Sequence, residues 1–289
     1  MAQTATTGNL ESAQKTIIGA ARYTEEHNAP AMALIEKFNL GKGEKTITVP
    51  KFGSMSVSDL TDGQDIIDEE ELGMTTVDLT ASEVGAKIIL TDKLVRQSAP
   101  NVMAIIGRQL GDAMARKKDN DVTALYGSFS DQLGATTKEL IAANVHACIA
   151  HAKANKFGSQ LYINHHPNTV AQLAGQAAGT AATYPMTDGW SVDLLKNFWS
   201  GLRPLNGVSI FEDGNLTTDA NGDATGVIAD KSALAVLMSQ DTRTERQRDA
   251  SLRATEVIIT ADYGVFELDG TKGAGMLYKS SAPSTAVST

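Results

Sequence analysis

The sequence contains one cysteine, no long apolar run and no excess of basic residues, and each absence excludes a class of protein. Cys148 cannot form an intrachain disulfide, which suits synthesis in a reducing cytosol. No apolar stretch approaches the roughly 20 residues that span a bilayer. Residues 1–8 lack the charged and apolar regions of a signal peptide. We therefore expect a protein that is made and kept in solution, with no membrane partner.

The net charge of −9 comes from 34 acidic residues against 25 lysines and arginines. Such a charge argues against a protein whose main task is to grip nucleic acid through a basic surface. It does not exclude a container that encloses nucleic acid without reading its sequence. The length of 289 residues allows one large domain or two ordinary ones with a buried core.

One long segment has no basic residue at all. Between Lys51 and Lys87 every charged side chain is a carboxylate. A block of one sign repels itself, so it is either disordered or an extended arm that is neutralised elsewhere. Its flanks, Lys45–Val49 and Val77–Ala81, alternate like strands. The carboxylates are Asp59, Asp62, Asp65, Asp68, Glu69, Glu70, Glu71, Asp78 and Glu83.

The two flanks predict a hairpin over residues 44–91, with the acidic block at its tip. The return strand is predicted to run on through Ala86–Leu90. A two-stranded hairpin is only marginally stable alone in water. We therefore expect the hairpin to rest on another copy of the same protein.

The clearest helix is predicted over residues 101–126, where Ile106, Leu110 and Met114 recur at helical spacing. At 1.5 Å per residue this rod would be roughly 39 Å long. Its outer face is predicted to be basic. That face would carry Arg108, Arg116, Lys117 and Lys118.

Shorter α/β units are predicted from Gly134 onward. Thr137 is expected to cap a helix over 139–154, and Pro167 to begin another. Strands are predicted at 160–164, 208–211 and 226–229, and short helices around Ala33–Phe38 and over 231–238. An arginine-rich polar stretch, Arg243–Arg253, leads into a strand at 256–268, which Asp269-Gly270 turns into a hairpin with 275–278.

The order of these segments resembles the major capsid proteins of tailed phages, which have the Hong Kong 97-type fold. The resemblance rests on a polar arm, a hairpin entered through Thr48-Val-Pro50, a return strand at Ala86–Asp92 and a long helix ending at Asp119–Gly127. Tyr162–Pro167 resembles the strand-to-helix step of the family's axial domain. Gly226–Thr255 and Asp262–Val265 resemble its ending.

The resemblance implies an α+β fold in six consecutive segments. They are an N-terminal arm (1–43), an extended β-hairpin loop (44–91), a peripheral domain with a long spine helix (92–133), an axial α/β domain (134–247), the long strands of the peripheral domain (248–280) and a tail (281–289).

The implied function is that of a major capsid protein, made in the host cytoplasm and located in the virion. Its copies would form hexamers and pentamers of an icosahedral head around double-stranded DNA, which they contact non-specifically. No charged scaffolding segment precedes the arm, so we expect either a separate scaffolding protein or a mature chain that has lost such a segment, and Met1 favours the former. Portal and decoration proteins are the other expected partners. An encapsulin-like shell, similar in fold but built around an enzyme cargo, is the nearest alternative.

The resemblance also implies that residues 44–91 lie across a neighbouring subunit, where acidic groups would meet basic ones. Exposed ion pairs contribute about 0–1 kcal/mol each, so we expect them to set register and partner choice more than affinity. Some relatives join a loop lysine to a neighbour's asparagine, but Lys51 is alone at the base here and we expect no cross-link. The interface candidates are Asp59, Asp62, Asp65, Asp68, Glu69, Glu70 and Glu71 on the loop, Arg108, Arg116, Lys117 and Lys118 on the helix, and Arg243, Arg246, Arg248 and Arg253 in the later stretch.

A metal-dependent hydrolase that uses His165, His166 and nearby aspartates is the alternative from another class. His146 and His151 are five residues apart and so do not share a helix face as two ligands would. The run Asp219–Asp223 resembles the start of a calcium loop, but Ala224 stands where that loop requires glycine. We find no catalytic constellation and expect no enzyme activity, cofactor or metal.

Overall fold

The computed structural model describes residues 30–53, 59, 73–93, 102–178 and 208–282, whose strands form three sheets. The first sheet has four strands. They are β1 (Glu36–Asn39), β4 (Ser82–Thr91), β9 (Leu234–Asp249) and β10 (Ala254–Glu267), in the order β1-β9-β10-β4. β9 and β10 form a long antiparallel hairpin, β4 pairs antiparallel with β10, and β1 pairs parallel with β9. The register of β9 and β10 shifts near Thr260–Tyr263, as at a β-bulge.

A long helix, α2 (Val102–Ala124), covers one face of this sheet. Its Leu110 and Met114 are buried in one cluster with Val257 and Ile259 of β10. Side chains four residues apart share a helix face, which is why the apolar spacing forms one buried stripe. The predicted helix over residues 101–126 is thus confirmed, and a 3-10 turn at Leu125–Gly127 extends it.

The second sheet has five strands and its own core. The strands are β5 (Asp131–Gly134), β6 (Leu161–His165), β7 (Ser209–Glu212), β8 (Asp223–Asp230) and β11 (Gly273–Lys279), in the order β5-β11-β8-β6-β7. The helices α3 (Ala142–Ala154) and α4 (Pro167–Ala178) contribute Ile149 and Val170 to its core, with Ile163 and Met276 from the strands. Cys148 is buried in the same cluster.

The third sheet is the predicted hairpin. β2 (Thr46–Phe52) and β3 (Met74–Thr80) pair antiparallel, from Thr46 opposite Thr80 to Phe52 opposite Met74. After Ala81 the chain enters β4 of the four-stranded sheet, so the return strand is divided between two sheets. Asp59 is described and exposed, whereas residues 60–72 lie outside the described part of the chain.

Two helix predictions are wrong. Residues 231–238 form a 3-10 turn at Lys231–Ala233, capped by the Asp230 carboxylate, and then the start of β9. The apolar run Leu234–Leu237 is buried on both sides between β1 and β10, and such a run fits a buried strand as well as a helix. The predicted helix around Ala33–Phe38 is shortened to α1 (Ala31–Leu34), because Phe38 pairs with Leu237 in β1.

Two turn predictions are also wrong. Thr137 is not a helix cap: its φ is 63°, its amide donates to Asp223, and α3 begins only at Ala142. β11 does not form a hairpin with β10, because Asp269 caps a 3-10 turn at Gly270–Lys272 that sends the chain into the other sheet. The domain boundaries stay a prediction. The boundary predicted between residues 247 and 248 lies inside strand β9. Among the described helices, none is long and apolar enough to cross a membrane.

Candidate intersubunit surface

The hairpin is anchored to its own subunit near the end that leads to the acidic block, where Lys51 lies opposite Thr75. Lys51 of β2 forms an ion pair with Asp269, with 2.5 Å between Nζ and Oδ1. Thr271 donates to the same carboxylate through its amide and its hydroxyl. Burial opposes ionisation of Asp269, but the hydrogen bonds from Lys51 and Thr271 outweigh it and hold the pKa below its usual value. The hairpin is therefore tied to the connection between β10 and β11.

The outer end of the hairpin is apolar and open. Phe52 and Met74 lie opposite each other at the last described pair, and they are 56% and 59% exposed. Leu79, near the base, is fully buried. The hairpin is therefore packed at one end. At the other end, which leads to the acidic block, the ion pair of Lys51 holds it and its apolar side chains remain exposed. The predicted partners Asp62, Asp65, Asp68, Glu69, Glu70 and Glu71 lie outside the described residues.

The helix α2 presents three of its four predicted basic residues. Arg108, Arg116 and Lys117 are exposed, and Lys117 pairs with Asp121 one turn further on, at 2.6 Å. Asp121 also accepts a hydrogen bond of 2.7 Å from the Tyr263 hydroxyl. The outer face of α2 is thus basic, as predicted.

Lys118 is not on that outer face, which corrects the prediction. Its side chain turns toward the four-stranded sheet and is 2% exposed. Nζ donates to Thr242 Oγ1 at 3.1 Å and lies 5.7 Å from the centre of the Tyr263 ring. Burial lowers the pKa of Lys118, and the charge of Asp241 opposes that shift. Lys118 is therefore bound within its own subunit.

The arginines of the β9–β10 hairpin lie in different environments. Arg248 holds Asp92 with both guanidinium nitrogens, at 2.6 and 2.7 Å. Arg243 pairs with Glu245 at 2.8 Å on an exposed surface. Arg253 is exposed in the turn with a φ of 50°. Arg246 is half-buried, and its Nη1 has no hydrogen-bond partner among the described residues.

The candidate basic residues therefore occupy two surfaces rather than one. Along β9, Thr242 and Thr244 turn toward α2 and are buried, whereas Arg243 and Glu245 are exposed on the other side. Since alternate residues of a strand face opposite sides, Arg243 lies on the face of the sheet that α2 leaves open. Arg108 and Arg116 belong to α2 and are exposed on the side of the helix that faces away from the sheet. One loop cannot contact both surfaces of the same subunit.

The histidines of the hydrolase alternative are engaged within the fold. His165 is fully buried; its Nε2 lies 3.1 Å from the Met276 carbonyl, and its Nδ1 accepts from the His166 amide at 2.8 Å. Burial lowers its pKa to about 4, so the ring is neutral and neither nitrogen is free for a metal. His166 Nδ1 accepts from the Asn168 amide at 3.1 Å. A Cβ at Gly226 would overlap the His165 ring, which explains a glycine at this point of β8.

The aspartates of the calcium-like run do not converge either. Asp219 accepts from the amides of its own turn, Asp223 from Thr137, and Asp230 from Gln160 and Ser232. In the part of the chain that the structure describes, no group of three or more histidine, cysteine or acidic side chains is placed to hold a metal.

Sequence reasoning missed the ion pairs that connect distant parts of the chain, of which two bear on the candidate surface. Lys51 and Asp269 are 218 residues apart, and Asp92 and Arg248 are 156 apart. Neither pair has a local signal, because no repeat or motif joins its members. Only the pairing of the strands brings them together.

No family model and no curated protein matches the chain. Solved structures do match. The head structure of Helicobacter pylori bacteriophage KHP40 matches with a TM-score of 0.68 at 10% identity, over 86% of this chain and 88% of that chain. The mature capsid of bacteriophage PhiM1 matches with a TM-score of 0.62 at 14% identity, over 87% of each chain. The virus-like particle from Pyrococcus furiosus matches with a TM-score of 0.60 at 9% identity, over 91% of this chain and 98% of that chain.

At these identities the likeness is one of fold. It covers most of both partners in each comparison, so it is not confined to one of the sheets. The α+β class predicted from the sequence is confirmed. The chain has the fold of the major capsid proteins of tailed phages.

Proposed function

We propose that this chain is the major capsid protein of a tailed phage, and that its copies form hexamers and pentamers of an icosahedral head. The observation that carries the proposal is the fold shared with phage heads and capsids over most of the chain. α2 then takes the part of the spine helix, and the five-stranded sheet with α3 and α4 that of the axial domain. β2 and β3 are the base of the loop that reaches a neighbouring subunit.

The hairpin supplies the contact between subunits. The ion pair between Lys51 and Asp269 holds it next to the Phe52–Met74 pair, which fixes the direction in which the acidic block leaves the subunit. Its open end, with Phe52 and Met74, needs an apolar neighbour that its own subunit does not provide among the described residues. A second copy supplies both that neighbour and the basic groups that neutralise the block.

The basic partner is the outer face of α2 or the open face of the four-stranded sheet. Arg108 and Arg116 favour the first, because they are exposed and form no ion pair within the described residues. Arg243, on the open face of the sheet, is already paired with Glu245, so a loop would have to displace that carboxylate. We therefore propose that the acidic block contacts Arg108 and Arg116 of a neighbour.

The further partners follow from the same proposal. They are a separate scaffolding protein, a portal, decoration proteins and the packaged DNA, which the shell contacts without reading its sequence. The chain performs no catalysis. The engagement of both nitrogens of His165 supports this part of the proposal, because it removes the ligand on which the hydrolase alternative depends.

An encapsulin-like shell is the second candidate, and the likeness to the Pyrococcus furiosus virus-like particle favours it. The two candidates predict different contents. Particles formed in the presence of the packaging machinery should contain double-stranded DNA if the chain is a phage capsid protein. Particles that hold a single enzyme and no DNA would establish the encapsulin-like candidate instead.

Assembly itself is tested by expressing the full chain alone and with a scaffolding protein. Electron microscopy and light scattering should show closed shells or ring-shaped capsomers. A compact monomer under all conditions of salt, pH and scaffold would refute both shell candidates.

A further inference from the structure

Two buried carboxyl groups meet where α2 contacts the second sheet. Asp119, on α2, is fully buried. Its Oδ1 accepts from the Ala31 amide at 3.0 Å, and its Oδ2 accepts from the Asn215 side-chain amide at 2.7 Å. It therefore joins three separate parts of the chain: the segment before β1, the long helix, and the loop after β7.

Asp213, the second carboxyl, follows β7 directly and is also fully buried. Its Oδ1 accepts from the Asn215 amide at 2.9 Å, and its Oδ2 accepts from the Asn164 side chain at 3.3 Å. Asn164 also donates to the Tyr126 hydroxyl at 2.9 Å, just beyond the end of α2. The cluster therefore connects α2 and its 3-10 extension to β6 and β7.

The two carboxyls have no basic group to neutralise them within the described residues. Their hydrogen-bond donors among the described residues are backbone and side-chain amides. Lys118, next to Asp119 in the chain, turns to the four-stranded sheet and donates to Thr242. Burying two unpaired carboxylates side by side is strongly unfavourable, and one proton between them removes half of the charge.

One residue, Asn215, bonds to both carboxyls and brings them together. Its side-chain amide donates to Asp119 Oδ2 and its backbone amide donates to Asp213 Oδ1. Burial, together with the negative charge of Asp213, raises the pKa of Asp119 to about 7, although the bonds from Asn215 and Ala31 oppose the shift. Asp119 thus keeps its proton to a higher pH than an exposed carboxyl does.

We propose that Asp119 and Asp213 share one proton and that its loss loosens the joint between α2 and the five-stranded sheet. When the proton leaves, two negative charges face each other in a closed space. The repulsion is relieved only if water enters or if the helix and the loop after β7 move apart. The joint is then tight at acidic and neutral pH and loose above it.

The other titratable groups near Asp119 and Asp213 do not neutralise the two carboxyls at neutral pH. Tyr126 and Tyr162 are buried, and burial raises the pKa of each phenol, so both stay neutral. His166 lies near Asp213, and burial lowers its pKa despite that charge. The neutral ring of His165 bonds the Met276 carbonyl. His166 is therefore the one nearby described side chain that could become cationic as pH falls.

The sign of the pH dependence follows from the raised pKa of Asp119. Below about pH 4 the carboxyl is protonated in both folded and unfolded chains, so the stabilisation is complete. Between about pH 4 and about pH 7 the unfolded chain releases the proton and the folded chain keeps it, so the unfolding constant rises about tenfold per pH unit. Above about pH 7 this contribution is lost and the dependence ends.

The test compares the full chain with Asp119→Asn and with Glu212→Gln, each kept in one assembly state. Glu212 is an exposed carboxylate beside Asp213 and serves as the matched control. Unfolding in denaturant is followed from about pH 4 to about pH 8. We expect Asp119→Asn to remove up to the tenfold-per-unit slope, and Glu212→Gln to retain it. An unchanged slope in Asp119→Asn would overturn the proposal.

A second measurement does not depend on the variant folding. Infrared difference spectra of the unaltered chain between about pH 6 and about pH 8 should show loss of one protonated carboxyl band. Hydrogen exchange, corrected for its intrinsic pH dependence, should rise in peptides from residues 112–124 and 209–216 over the same range. No carboxyl band, or exchange that is unchanged in both peptides, would refute the shared proton or the loosened joint, respectively.

Discussion

The ion pair that anchors the hairpin, between Lys51 and Asp269, gives the sharpest test of how the loop is used. Replacing Lys51 with methionine keeps the length of the side chain but removes its ion pair with Asp269. Asp269 keeps its bonds from Thr271, so the 3-10 turn remains capped. The subunit should therefore fold as before. Only the direction of the hairpin should become less well defined.

The magnitude follows from the exposure of the pair. The side chain of Lys51 is 39% exposed and that of Asp269 is 15% exposed, so solvent screens much of the attraction. Pairs of this kind contribute about 0.2–1 kcal/mol to the free energy of unfolding. Suppose that about 1 kcal/mol holds the hairpin in the orientation that a neighbour can bind. Its loss then lowers the fraction of subunits in that orientation by up to about fivefold. The apparent assembly constant falls by the same factor.

The assay is the critical concentration for shell assembly, measured by light scattering at fixed salt. Lys45→Met is the matched control, because it removes a nearby exposed charge that has no ion pair among the described residues. We expect a rise of up to about fivefold for Lys51→Met and little change for Lys45→Met. Equal critical concentrations for the two methionine variants would refute the role of the anchor.

Three further predictions concern the charges and the histidines. Replacing Glu69, Glu70 and Glu71 with lysine should leave folding intact and weaken assembly, most strongly at low salt. Glutamine at the same three positions should give an intermediate effect. Assembly that does not depend on salt would contradict the proposed pairing of the acidic loop with basic groups of a neighbour. His165→Ala should lower the free energy of unfolding by about 2–4 kcal/mol, because it leaves a buried cavity and an unpaired Met276 carbonyl. His166→Ala should change the free energy of unfolding little. Elemental analysis should show no loss of bound metal in either variant. Lys118→Met should change the free energy of unfolding by less than about 1.5 kcal/mol in denaturant titrations, since it exchanges a buried cation for an apolar chain of similar length; a large loss would show that the bond to Thr242 is essential.

Most of the secondary structure could be predicted because its pattern is local. α2 has a long run of apolar residues at one spacing, and β10 alternates through Val257, Ile259, Ala261 and Tyr263, all of which are buried. β9 could not be told from a helix, since Leu234–Leu237 is buried on both sides and has no period. The destination of β11 was equally hidden, because pairing with β8 instead of β10 depends on where the whole sheets lie.

The inward direction of Lys118 did have a signal in the sequence. Met114 and Val122 lie four residues before and after it, and both are buried. Residues four apart share a helix face, so the spacing places Lys118 on the buried side despite its charge. Asp119 is in the same situation, four residues after the buried Ala115. For Lys118 and Asp119 the helical spacing is therefore a better guide to burial than the general exposure of charged side chains.

Lys118 and Asp119 together determine how the two sheets are joined. Consecutive residues on a helix point about 100° apart, so two adjacent buried charges reach different neighbours. Lys118 bonds to Thr242 of the four-stranded sheet, and Asp119 bonds to Asn215 beside the five-stranded sheet. Apolar contacts alone would tolerate a small rotation of α2, whereas these bonds fit only one rotation. Buried polar groups often add little stability but select one arrangement. In a shell subunit these bonds would keep the four-stranded sheet, which continues into the hairpin, at a fixed angle to the five-stranded sheet. Loss of the proton on Asp119 is then the step by which a rise in pH loosens this arrangement.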